Sequence, residues 1–140
     1  MIHYIKFPSI PDSIVDQIPR DALQYNKDLD YSASNYFWSK SFTTELETWC
    51  KENICSTASW GIQVITGNLP VHKDIGTTSK FIYIIESGGS SVTTTFYNNN
   101  KDVTNEYIIA PQEWHILKAD RFHSVTNVEQ VRISVSGRLY

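Results

Sequence analysis

The sequence predicts a single mainly β domain over residues 1–140: a sandwich or barrel core at residues 59–138, preceded by short helical and loop support over residues 1–58. Three observations predict it. The chain of 140 residues is one domain's worth and buries about two-thirds of its unfolded surface without needing a disulfide framework. From Ser59 onward the apolar residues recur with a period of two, and turn residues interrupt them roughly every eight to twelve positions, the spacing of antiparallel sheets and not of βαβ units. Before Ser59, the apolar residues that repeat do so at helical spacing.

Each element has its own signal. Residues 1–7 alternate loosely and read as an edge strand. Residues 11–18 suit a short helix, because Ile10, Ile14 and Ile18 share a face and Pro11 is compatible with a first turn. Residues 26–34 are polar, without an apolar period, and read as loop. Residues 44–53 form a second support helix, with Thr44 and Glu47 as a capping box and Leu46, Trp49, Cys50 and Ile54 as one apolar stripe. Strands then follow at residues 60–64 and, after Gly67-Asn68, at Val71 and His72. Residues 80–85 form an apolar run that Gly88-Gly89 ends. Residues 91–97 are β-branched, residues 98–101 are a turn, and strands at 103–109, 114–118, 123–126 and 131–136 complete about eight in the core.

Composition narrows function. Hydrophobic residues at 41%, charged residues at 19% and aromatics at 13% exclude wholesale disorder. A net charge of -3 and a pI near 5.7 argue against a nucleic-acid partner bound by phosphate neutralisation. No apolar run reaches the length of a membrane span, and Met1, Ile2, His3 and Tyr4 lack the basic and apolar regions of a signal peptide, so the expected compartment is cytoplasmic. Cys50 and Cys55 fit no metal pattern and read as reduced thiols near a helix end.

Two motifs carry chemistry. In His72-Lys73-Asp74 the first and third residues of an extended segment face one way, about 6.6 Å apart, so an imidazole and a carboxylate can converge on one cation. The second motif is Phe122-His123-Ser124-Val125, followed by Arg132-Ile133-Ser134. A hairpin centred on Val128-Glu129 sets His123 opposite Ser134 and Val125 opposite Arg132. His123, Arg132 and Ser134 then share one face, and Val131, Ile133 and Val135 the other. Two histidines and one carboxylate with open positions make the facial triad of non-haem Fe(II) oxygenases, and an adjoining Arg–Ser pair suits the remote end of a dicarboxylate.

Residues from about 60 to 138 resemble the core of the 2-oxoglutarate and Fe(II)-dependent dioxygenase superfamily, nearest its prolyl hydroxylase-like end. The resemblance is carried by His72-Lys73-Asp74, by His123 in its Phe-His-Ser-Val setting, and by Arg132-Ile133-Ser134 one hairpin later. Gly88-Gly89 through Thr95-Phe96 is similar to the family's GG-x-T-x-F strand without its usual Glu, and Pro111 with residues 114–117 stands where the family has its approach strand.

The resemblance implies a double-stranded β-helix, a jelly-roll or cupin-like barrel. It implies that His72, Asp74 and His123 ligate iron. Arg132 then pairs with the 5-carboxylate of 2-oxoglutarate, with Ser134 assisting and Tyr83 as a further candidate; Lys80 is the alternative to Tyr83. The implied reaction uses O₂ to hydroxylate a small amino-acid-like molecule or a peptidyl side chain, and releases succinate and CO₂. Two other readings of the same residues are a non-oxidative cupin-like isomerase or epimerase, and a binding module with an unused metal site. His3 and His115 read as structural, and Trp60 and Tyr97 as core aromatics. The short span from His72 to His123 leaves little insertion for a lid.

Overall fold

Two antiparallel sheets face each other in the computed structural model, which describes residues 1–25, 34–40 and 43–140. The residues expected to form the 26–34 loop lie, apart from Ser34, outside the described ones. Among the described residues the elements are β1 (Ile2–Tyr4), α1 (Asp12–Val15), a 3-10 turn at Ala22–Gln24, β2 (Tyr36–Ser39), α2 (Thr44–Asn53), β3 (Ser59–Ile65), β4 (Leu69–His72), β5 (Ser79–Ser87), β6 (Thr93–Tyr97), β7 (Val103–Tyr107), β8 (Trp114–Leu117), β9 (His123–Thr126) and β10 (Arg132–Leu139). One sheet has the order β1-β8-β5-β10-β3-β2, the other β4-β9-β6-β7. The structure is mainly β, as the period-two pattern predicts, and β1 is the edge strand expected.

The six-stranded sheet is covered on both sides. Its outer face presents Trp60, Ile62, Val64, Phe81, Tyr83, Ile133 and Val135, which pack on Ile10, Ile14 and Ile18 around α1 and on Leu46 and Cys50 of α2. Full burial of each such side chain is worth about 1.5–3 kcal/mol, which keeps a four-residue helix in place that has little stability of its own. The Trp114 indole N–H donates to the Pro8 carbonyl at 2.9 Å and pins the N-terminal segment to the same layer. Because the second sheet covers the inner face, β3 and β5 are buried almost throughout, and β5 reads as a continuous apolar run from Phe81 to Ile85. Both cysteines are free thiols, Cys50 buried in this layer.

Three expectations need correction. Thr44 is not the cap of α2: it is the first helical residue, and the extended Thr43 before it accepts from the Leu46 N–H. Strand β2 is absent from the sequence reading; it pairs antiparallel with β3 as the other edge strand of the six-stranded sheet. Finally, β9 and β10 are not a hairpin. β9 pairs with β4 and β6 in one sheet, whereas β10 pairs with β3 and β5 in the other. The connecting segment instead docks on a distant turn, where Glu129 and Gln130 both donate their N–H groups to the Gly88 carbonyl at 2.9 Å. Gly88 has φ +81°, and a Cβ there would stand 2.9 Å from the Gln130 carbonyl oxygen, so the close approach requires glycine. His123 and Ser134 therefore meet across the gap between sheets, not along one ladder. Among the described residues no helix is long and apolar enough to cross a membrane.

Candidate metal centre

His72 ends β4, His123 begins β9, and the two are register partners. Partners in an antiparallel pair project to one face, so both imidazoles enter the space between the sheets, with ring centroids 4.3 Å apart. The β4–β9 ladder is irregular between Leu69 and His72. Residues three apart in a regular strand face opposite ways; the irregularity turns both of them toward the interior. Asp74 follows two residues after His72, its backbone N–H bonded to the Ala119 carbonyl at 3.0 Å. Its Oδ1 lies 3.4 Å from His72 Nε2 and 3.4 Å from His123 Nε2.

The proton positions on the rings make this convergence informative. His72 Nδ1 is 2.7 Å from the Pro70 carbonyl oxygen, and His123 Nδ1 is 2.7 Å from that of Arg121. A carbonyl only accepts, so each Nδ1 carries a proton and each Nε2 of a neutral ring turns a lone pair toward the Asp74 oxygen. Burial lowers the His123 pKa, with the Lys80 and His72 charges acting in the same direction and Asp74 opposing, which favours the neutral ring. For Asp74 burial acts upward and the Lys80 charge is the largest influence against it; the carboxyl is held well below the usual carboxylate range. With both rings neutral, three electron-pair donors meet here. A metal at bond lengths of about 2.0–2.2 Å and right angles separates its ligands by about 3 Å, a few tenths less than the distances here. The three residues are the group the sequence nominated, and they fit a divalent cation.

The opposite sheet supplies the cavity's other charged groups. Tyr36 of β2, Gln63 of β3, Lys80 of β5 and Arg132 and Ser134 of β10 line the cavity with His72 and His123. Lys80 is 3% exposed, and its Nζ donates to Asp74 Oδ2 at 2.8 Å. Arg132 is anchored through Nε to the Ser87 carbonyl at 2.9 Å. Burial lowers its pKa to about 10, so the guanidinium stays charged at neutral pH, and among the described residues it has no carboxylate within ion-pair distance. Ser134 and Gln63 are register partners, and Ser134 Oγ and Gln63 Oε1 are buried without hydrogen-bond partners. A buried cation lining the same cavity as an unpaired hydroxyl, which can donate, is a place for an anion; the Gln63 oxygen, an acceptor, calls instead for a donor. The cavity volume is about 30 Å³.

Tyr83 is not part of this cavity. Alternation along β5 sends Lys80, Ile82 and Ile84 inward and Phe81, Tyr83 and Ile85 toward the helices. Tyr83 packs on Trp114 with ring centroids 4.9 Å apart, and its hydroxyl bonds to Ser9 and the Ile10 backbone. The cavity's tyrosine is Tyr36, whose hydroxyl accepts from Arg138. The aromatic run Tyr36-Phe37-Trp38 was the available strand signal for it. His3 is exposed and His115 lies outside the cavity lining. Trp60 is in the core; Tyr97 is half-buried, its hydroxyl 2.9 Å from Ser124 Oγ, and belongs to no core cluster. Compared with known proteins, the chain matches no family model and no curated sequence.

Proposed function

We propose that this protein is a metal-dependent oxygenase that binds Fe(II) through His72, Asp74 and His123 and takes 2-oxoglutarate as co-substrate. The observation that carries the reading is that one Asp74 carboxylate oxygen lies 3.4 Å from the Nε2 of each of two imidazoles, the three ligand atoms all within 4.8 Å of one another, with Arg132 lining the same cavity. The strand order supports a double-stranded β-helix: from β3 to β10 the chain passes back and forth between the sheets, staying in one only for β6–β7. Iron with 2-oxoglutarate and O₂ supplies oxidative decarboxylation to succinate and CO₂, coupled to hydroxylation of a C–H bond.

The chain's own residues have separable tasks. The two imidazoles and Asp74 would hold the cation and, as three ligands, would leave further coordination positions open. Arg132 and Ser134 offer a charge and a hydroxyl to the remote carboxylate of the dicarboxylate. Ile82, Ile109, Leu117 and Val125 wall the cavity with hydrocarbon and exclude water. The His72 side chain is 34% exposed against 4% for His123, so the centre opens on the His72 side, where a small amino-acid-like molecule or a peptidyl side chain approaches.

One observation favours a second reading. A cavity of about 30 Å³ admits about two water molecules, less than 2-oxoglutarate needs without displacement of the walls. A non-catalytic binding module that holds a cation and water with no organic ligand fits that volume as it stands. Anaerobic addition of Fe(II) and then 2-oxoglutarate separates the two. The chelate gives a visible charge-transfer band under the first reading, and metal binding without a band favours the second.

A further inference from the structure

The geometry points to Lys80 as a positioning residue that keeps Asp74 a one-oxygen ligand. This rests on the metal-centre reading above. The two oxygens of Asp74 have different surroundings. Oδ1 faces both imidazoles at 3.4 Å, whereas Oδ2 accepts from Lys80 Nζ at 2.8 Å. A short ammonium–carboxylate bond between side chains that are 4% and 14% exposed is charge-assisted and little screened by water. A carboxylate that chelated through both oxygens would have to give it up.

Lys80 has few other places to go. It is on β5, inside the six-stranded sheet, with Leu117 and Arg138 as its register neighbours. The residue opposite on β10 is thus another cation, and the Tyr36 ring centroid at 5.9 Å offers a π face but no carboxylate. Among the described residues Asp74 is the only acid within ion-pair distance of its ammonium. The sequence alternative of a 2-oxoglutarate carboxylate on Lys80 would compete with this bond, while Arg132 has no such claim on it.

Two consequences follow for the centre. A one-oxygen Asp74 leaves one more coordination position open than a chelating Asp74, as a reaction that brings two further ligands to the metal needs. An outer partner that orients a ligand also sets its affinity, and loss of such partners costs about 10- to 100-fold in metal binding.

The test uses Zn(II), which is redox-inert, bound to the full chain with its aspartates labelled in the carboxyl carbon. The infrared splitting between the antisymmetric and symmetric carboxylate stretches is wide for one-oxygen and narrow for two-oxygen ligation. The wild type is expected to show the wide splitting, Lys80→Met the narrow one with Zn(II) affinity reduced about 10- to 100-fold, and Lys80→Arg the wide splitting restored. Should Lys80→Met fail to fold, Lys80→Gln carries the same comparison, and the wild-type spectrum is decisive in any case. A narrow splitting in the wild type, or an unchanged splitting in the neutral variants, overturns the role of Lys80 while leaving the metal centre intact. No Zn(II) binding by the wild type overturns both.

Discussion

His72 and His123 are register partners on neighbouring strands, and each ring is fixed by the same device: Nδ1 bonded at 2.7 Å to the carbonyl two residues earlier. Fixing both tautomers in this way turns both Nε2 atoms toward Asp74 before any ligand arrives. A surface pair of histidines gains nothing from such an arrangement, whereas a metal centre gains preorganised ligands.

Asp74→Ala should abolish divalent metal binding, while Arg132→Ala retains the metal and weakens 2-oxoglutarate. Titration calorimetry with Zn(II), and with 2-oxoglutarate added to the metal-loaded protein under anaerobic conditions, checks both. Zn(II) should also raise the Tm of the wild type, by about 2.7 kcal/mol of added stability at 100 times Kd, and leave that of Asp74→Ala unchanged. Equal loss of metal in the two variants contradicts the division of roles.

The metal-free protein should lose stability on acidification in two stages. Burial lowers the His123 pKa in the fold, so below the ordinary value of about 6.5 the unfolded chain takes up its proton first and stability falls with pH. Asp74 is depressed as well, so its contribution is present above about 3.9, the unfolded value, and is lost as pH falls further. Each group gives a slope of at most about 1.4 kcal/mol per pH unit. Urea unfolding in a chelator between pH 7.5 and 5 measures the first stage. His123→Gln should flatten it, and stability that rises on acidification would sink the assignment.

The convergence of His72 and Asp74 was legible because it depends on short spacing in extended chain, which is local; His123 was nominated through the family resemblance, since its pairing with His72 joins strands about fifty positions apart. Arg132 and Ser134 were placed on the correct face for a local reason too: alternation along β10 separates them from Ile133 and Val135 whatever the strand pairs with. What failed was non-local. Five residues between β9 and β10 look like a hairpin loop, yet their N–H groups are satisfied by Gly88, about forty positions away, and by the Asn68 side chain. Tyr83 failed by one position of register along a strand buried on both faces, where a continuous apolar run hides which residues point which way. Strand β2 was lost because its four residues stand between segments without a period.

The strand missed in the sequence makes a stability prediction. A Cβ at Gly61 would lie 2.5 Å from Trp38 Cε2 and 2.8 Å from the Ser39 carbonyl oxygen, the latter backbone that cannot step aside. Gly61→Ala should therefore cost about 1–3 kcal/mol, the range for overpacking, in urea unfolding. Gly76 has open space around its would-be Cβ but φ +79°, so Gly76→Ala is strained without a clash and should cost less. Equal costs at the two positions would mean that β2 does not pack on β3 as described.

The two tyrosines can be told apart by what each loses. Tyr83→Phe removes a hydroxyl bonded to Ser9 and Ile10 in the outer layer, so it should cost about 1 kcal/mol of stability and leave 2-oxoglutarate affinity unchanged. Tyr36→Phe removes the hydroxyl that accepts from Arg138 at the cavity wall and should change ligand affinity. A shift in 2-oxoglutarate affinity in Tyr83→Phe alone would restore the sequence reading over the structural one.

Asp74 and Lys80 should be energetically coupled in the metal-free protein. Their ion pair at 2.8 Å joins side chains that are 14% and 4% exposed, so either single truncation leaves the other charge out of water without its partner. Asp74→Leu and Lys80→Met should each cost about 3–5 kcal/mol, the range for breaking a buried pair. The double variant removes both charges and replaces them with hydrocarbon beside Ile82 and Leu117, which already line that space. It should lose less than the two single losses together, with a coupling of about 2 kcal/mol between directly contacting residues. Urea unfolding of the four proteins in a chelator measures the cycle. Additive losses would mean that water or another group satisfies Lys80 when Asp74 is gone, and that the short bond between them carries no stability.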